Sequence, residues 1–140
     1  MFNKLDLNQK KNVVTIGKLT EEIIELLEIE ITEEKNIVIW KDRIKYIEKH
    51  KSDFDSDEEW KTHVEAIPDI IENPDYVSIH PSGRSIEFIK KINEHMLVAV
   101  RLTNKKTLDF RSSYPISENK LQSYLDSGRL KLVSKLPINE

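Results

Sequence analysis

Apolar residues in the first half of the chain recur at three- and four-residue spacing, whereas in the second half they alternate with polar ones, so helices should precede an antiparallel sheet. Val13–Ile16 reads as a short strand closed by Gly17. From Thr20 onward Ile23, Ile24, Leu26 and Leu27 mark a helix, with Thr20 as its cap and Glu21 and Glu22 favourably placed in its first turn. Ile29 and Ile31 suggest a short extended piece in an acidic stretch, and Ile37–Trp40 is a strand feeding the helix Asp42-Arg-Ile-Lys-Tyr-Ile-Glu-Lys-His50. That helix places Tyr46, Ile47 and His50 on neighbouring faces with Lys49 beside them, and Ile44 and Ile47 should dock it. Lys51–Ser56 is a charged loop. Ser56 caps a further helix bearing Trp60, Val64, Ile67, Ile70 and Ile71, in which Pro68 should impose a break and Asn73-Pro74-Asp75 a stop.

Tyr76–His80 and Ser85–Ile92 read as strands round Pro81-Ser82-Gly83, and His95–Thr103 and Thr107–Tyr114 as a hairpin round Asn104-Lys105-Lys106. With Thr103 opposite Thr107, one hairpin face carries Val98, Val100, Leu102, Leu108, Phe110 and Ser112. The other carries Leu97, Ala99, Arg101, Thr103, Thr107, Asp109, Arg111 and Ser113. A helix capped by Ser117 runs to Ser127 before Gly128, and Leu130, Leu132 and Leu136 suggest a last strand. The expected class is α+β: N-terminal helices on one face of a roughly four-stranded antiparallel sheet, preceded by a loosely held arm over residues 1–12 and forming one domain over 13–136. The uncovered face of that sheet would collect Tyr76, Ser78, His80, Arg101, Arg111 and Ser113.

Composition narrows the chemistry. With 38% hydrophobic and 34% charged residues the chain belongs among globular proteins, and 140 residues suffice for one core. A net charge of −3 argues against non-specific gripping of long duplex DNA, although a local basic cleft is compatible with it. The absence of cysteine removes disulfides, thiolate metal sites and cysteine nucleophiles, and fits a reducing compartment. No apolar run approaches a bilayer span, so no membrane segment or secretion signal is expected. Three glycines, at 17, 83 and 128, cannot build a Walker loop, a dinucleotide fingerprint or a nucleophile elbow. His50, His63, His80 and His95 show no metal-ligand spacing, so neither a metal site nor a cofactor is expected.

Two guanidiniums and a hydroxyl on one sheet face would suit a phosphate, and a histidine could add proton transfer. Each candidate has a plainer role. A histidine at a helix C-terminus simply complements the dipole, and Arg101 opposite Asp109 is an ordinary cross-strand pair contributing a few tenths to about 1 kcal/mol. Arg111, beside Ser112-Ser113-Tyr114, has no obvious partner and is the better phosphate ligand. Lys105 and Lys106 are turn residues kept polar by exposure.

With these residues in view, the chain resembles the phage-associated branch of the BECR nuclease fold, named for barnase, EndoU, colicin-type and RelE-like ribonucleases. The resemblance lies in Ile-Gly-Lys-Leu at 16–19, the Lys49-His50 helix end, Ile67-Pro-Asp-Ile-Ile-Glu-Asn-Pro-Asp-Tyr76, Val98-Ala-Val-Arg-Leu102 and Phe110-Arg-Ser-Ser-Tyr-Pro115. It implies a metal-independent endoribonuclease of the toxin or phage-effector kind, acting in the cytoplasm of a bacterial or phage-infected cell. RNA would be the substrate, with tRNA one candidate, and an antitoxin or immunity protein a second partner. Catalysis would fall to His50, Lys49, Arg111 and Ser113, and substrate binding to Arg101, Tyr76, His80 and Ser112. The acidic stretch Glu21–Glu30 and an Arg101–Asp109 pair would instead suit a non-catalytic module that binds a protein or nucleic acid.

Overall fold

The computed structural model describes residues 4–133. In chain order the elements are β1 (Val13–Leu19), α1 (Glu21–Leu27), β2 (Lys35–Trp40), α2 (Lys41–Ile47), a 3₁₀ segment (Glu48–Asp53), α3 (Asp57–Glu65), α4 (Ile67–Glu72), β3 (Tyr76–Ile79), β4 (Ser85–Lys91), β5 (His95–Arg101), β6 (Thr107–Ile116), α5 (Glu118–Asp126) and β7 (Lys131–Leu132). Leu136, assigned above to the last strand, lies outside the described residues. Thr20, Ser56 and Ser117 each accept a backbone N–H with the side-chain oxygen, from Ile23, Glu59 and Lys120 respectively. These bonds satisfy orphan donors of the first helical turns. Pro68 sits in the first turn of α4, where its missing N–H costs nothing.

The fold is α+β, but its sheet has seven strands in the order β1-β2-β6-β5-β4-β3-β7 and is mixed. The expected four-stranded antiparallel sheet survives only as its centre, the meander β3 to β6. Outside it β2 joins β6 in parallel, pairing Ile37 with Leu108, and β1 pairs antiparallel with β2. At the opposite edge β7 pairs with β3. Local alternation identifies β1 and β2 as strands but carries no record of a parallel partner so distant in the chain. Ile29 and Ile31, expected to be extended, form no strand and pack half-buried against the core.

Helices α1, α3 and α4 cover one sheet face, where Ile23, Ile24, Val64, Ile67, Ile70 and Ile71 meet Ile37, Ile39, Phe88, Val98, Val100, Leu108 and Phe110. Helix α4 comes so close to β1 that a Cβ on Gly17 would lie 2.6 Å from Cγ2 of Ile71. Strand β1 therefore passes through Gly17, at a register irregularity, instead of ending there. The N-terminal segment adds Leu5, buried in the same core, with its N–H bonded to the Glu65 carbonyl at 3.0 Å.

The second face is not left open as expected. Leu121 and Leu130, on and after α5, pack over Ile89, Leu97, Ala99 and Ile116, with Tyr76, Tyr114 and Tyr124 at the margin. Apolar Leu97 and Ala99 on the face assigned to solvent already signalled such a cover. Among the described residues no helix is long and apolar enough to cross a membrane.

Candidate active site

The part of the second face that α5 leaves uncovered lies at the β2–β6 junction. Strand β2 pairs with β6 only over Thr107–Asp109, then turns at Trp40 directly into α2. Helix α2 and the 3₁₀ segment consequently lie against the rest of β6. Ile47, 2% exposed, anchors α2 in the core, and Ile44 is half-buried beside it, as their spacing predicts. Arg43 Nη1 donates to the Arg111 carbonyl at 3.3 Å, satisfying a backbone acceptor on that edge.

Strand β6 is itself irregular here. Arg101 faces Asp109 and Val100 faces Phe110, as counted from the turn, but Ala99 then faces Ser112, leaving Arg111 as the extra residue of a bulge. The bulge inverts all that follows. Ser113, expected on the second face, is 3% exposed opposite core residue Val98, and among the described residues its Oγ has no hydrogen-bond partner. Ser112, expected in the core, lies across from Ala99 and is half-buried. A bulge of this kind re-aims a side chain: Phe110 stays in the core and Arg111 is exposed.

Arg111 thereby enters an open cleft of about 510 Å³, lined also by Asn12, Trp40, Lys41, Asp42, Arg43, Arg101, Asp109 and Phe110. The expected Arg101–Asp109 ion pair is not made. Asp109 instead accepts from Trp40 Nε1 at 3.1 Å. Among the described residues neither the Arg101 nor the Arg111 guanidinium makes a hydrogen bond or ion pair.

Next to the cleft, Arg43 lies 4.6 Å from the Tyr46 ring centroid and Lys49 Nζ donates to the Tyr46 hydroxyl at 2.9 Å. That bond, followed by the charges of Lys49, Arg43 and Arg111, holds the Tyr46 phenol below its ordinary pKa of 10.0. His50 sits in the 3₁₀ segment, one turn beyond the end of α2, with its ring 5.5 Å from that of Tyr114 on β6. Its Nδ1 is 2.9 Å from Asp53 Oδ2. With Nδ1–H donated to that carboxylate, Nε2 is left as the basic nitrogen.

Arg101 and Arg111 share the cleft, Lys49 and His50 lie beside it through Tyr46 and Tyr114, Ser112 lies across from Ala99, and the others are set apart. Tyr76 packs at the margin of the α5 cover, and His80 lies in the turn after β3, accepting from Ser82 N–H at 3.0 Å. Strand β3 is three strands from β6, or about 14 Å. Trp40, Arg43 and Asp53 belong to the arrangement without having been singled out, and Tyr46, placed beside His50 by its spacing, had been given no role. Asp53 had a visible signal, its i+3 spacing from His50, and Trp40 another, its place opposite the buried Ile37 and Ile39 in the alternation. The remaining histidines are otherwise engaged: buried His63 donates to the Glu59 carbonyl and accepts from Asn93 and Glu94 N–H, and His95 pairs with Glu118.

Comparison with curated proteins and with solved structures finds no match. A family model does match, over residues 14–123, a span that runs from the second residue of β1 through most of α5 and contains every residue of the cleft except Asn12. A cationic cleft with a carboxylate-held histidine beside it suits that family's title, and by this match the chain belongs to the phage-Barnase-EndoU-ColicinE5/D-RelE like nuclease family PBECR3.

Proposed function

We propose that the cleft at the β2–β6 junction cleaves RNA by internal transesterification, without a metal ion. The observation that carries this reading is the pair of exposed guanidiniums, Arg101 and Arg111, that share one cleft and make no hydrogen bond or ion pair among the described residues. Arginine forks match phosphate oxygens, and cations aimed at a phosphorane stabilise its extra charge.

In this scheme His50 Nε2 takes the proton of a ribose 2′-hydroxyl while Asp53 holds Nδ1–H. The 2′-oxygen bonds to the adjacent phosphorus, the bond from phosphorus to the 5′-oxygen breaks, and that oxygen takes the Tyr46 phenolic proton. Lys49 favours the phenolate left behind, as it does in the free protein. Arg101 and Arg111 hold the phosphate, and the products are a 2′,3′-cyclic phosphate and a 5′-hydroxyl. Ser113 has no part in it, because it faces the core. Under this reading the protein acts in the cytoplasm of a bacterial or phage-infected cell, tRNA is among the RNAs to assay, and an inhibitory antitoxin or immunity protein is the expected protein partner.

The purified protein should cut RNA in the presence of EDTA, leave 2′,3′-cyclic ends and spare duplex DNA. Activity that vanishes with chelator and returns with magnesium would reject the mechanism.

A further inference from the structure

We infer that Trp40 is a platform on which an unpaired nucleobase beside the scissile phosphate stacks, so that the cleft takes single-stranded RNA in preference to duplex; this rests on the RNA-cleaving reading of the cleft. The two tryptophans of the chain have opposite fates. Trp60 is 9% exposed in the core, whereas Trp40, at the end of β2, is 44% exposed. Within β2 the alternation sends Ile37 and Ile39 inward, each fully buried, and turns Trp40 to the face that Asp109 and Arg101 share.

An indole left in water gives up the burial that a large aromatic ring usually obtains. Here it is held in place all the same. Its Nε1–H donates to Asp109, Val13 pairs with it across the sheet, and α2 starts at the next residue. Asp109 accepts this bond and makes no ion pair with Arg101, so the oriented ring stands beside an available cation.

An oriented aromatic ring among Arg43, Arg101 and Arg111 is the combination that single strands require: cations for the backbone, a π-face for the base. Stacking tolerates every base, because each has a π-face, but requires that the base be unpaired and turned outward. Duplex RNA keeps its bases inside the helix and can offer this cleft phosphates alone.

A single-stranded 2′-O-methyl oligonucleotide, which lacks the attacking hydroxyl, separates binding from cleavage. Titrated into the protein it should quench tryptophan emission, and the same sequence annealed to its complement should not. Trp40→Ala should weaken single-strand binding by about 5- to 150-fold, the range for loss of one base–aromatic stack. Trp40→Phe, which keeps a ring, should stay within a few-fold of the parent, and duplex affinity should be equal in all three proteins. Equal single-strand affinity for Trp40→Ala and parent, or equal quenching by the duplex, overturns the inference. A parent that binds through Trp40 but cuts no RNA upholds the platform while rejecting the cleavage reading. A parent that cuts RNA with the same KM after Trp40→Ala rejects the platform alone.

Discussion

At the β3–β4 end of the sheet Arg129 is fully engaged, whereas at the β2–β6 end Arg101 and Arg111 are not. Arg129 Nη2 lies 2.6 and 2.7 Å from the two carboxylate oxygens of Glu87, and its guanidinium sits 3.9 Å from the Tyr124 ring centroid. Glu87 is 1% exposed and also accepts from Ser78 Oγ at 2.6 Å. A carboxylate that far from water needs a cation, and the one supplied comes from the segment after α5, so the ion pair ties β4 to the cover of the second face. At the other end Trp40 occupies Asp109, and two arginines are left over. One arginine completes the fold; the other two are available to a ligand. The tyrosines differ in the same sense. Burial, then the Glu87 and Tyr124 charges, pushes the Tyr114 phenol above 10.0, while Tyr46, among cations, lies below it.

The largest test of this contrast is the loss of each arginine. Arg129→Ala strands a buried carboxylate and should cost about 3–5 kcal/mol in denaturant unfolding. Arg101→Ala and Arg111→Ala remove exposed side chains without ion-pair partners and should each change stability by no more than about 0.5 kcal/mol. Equal losses at the two ends would erase the distinction between a folding arginine and a ligand-binding one.

A finer test reads the two phenols by ultraviolet absorbance during alkaline titration. The first tyrosine to ionise should disappear in Tyr46→Phe and move upward in Lys49→Ala, since that ammonium is the main cause of its lowered pKa. The last should disappear in Tyr114→Phe. The linked stabilities have opposite signs. A raised phenol favours the fold at pH below its unfolded value near 10, and that contribution is lost as pH rises through the raised one. The lowered Tyr46 phenol contributes only in alkali, fully above about 10, and loses the contribution as pH falls through its folded-state pKa. If Tyr46 ionised no earlier than Tyr114, the cationic cluster would not act on it.

The sequence makes the α+β class, the three hydroxyl caps, the break at Pro68 and the core role of Phe110 readable, because each depends on neighbours a few residues away. The family is readable too, since its quoted segments lie inside the matched span. Two features are not local. The parallel pairing of β2 with β6 joins distant segments, and it places Trp40 in the cleft. The bulge at Arg111 arises where β6 leaves β2 and meets α2; counting outward from the turn is right as far as Phe110 and inverted beyond, which removes Ser113 from the site. Lys49 and His50 are a further departure from the expected helix, since α2 ends at Ile47 and both fall in the 3₁₀ segment, whereas Arg101 and Arg111 lie no farther from the turn than the bulge itself.

The most direct test of the central claim is the single-turnover rate of RNA cleavage in EDTA by the parent, His50→Ala and Arg111→Ala, read beside their thermal melts. His50→Ala should slow cleavage by about 10² to 10⁴ and Arg111→Ala by about 10² to 10³, with both melting like the parent. Parental rates in both variants would contradict the account and leave the cleft without a catalytic role.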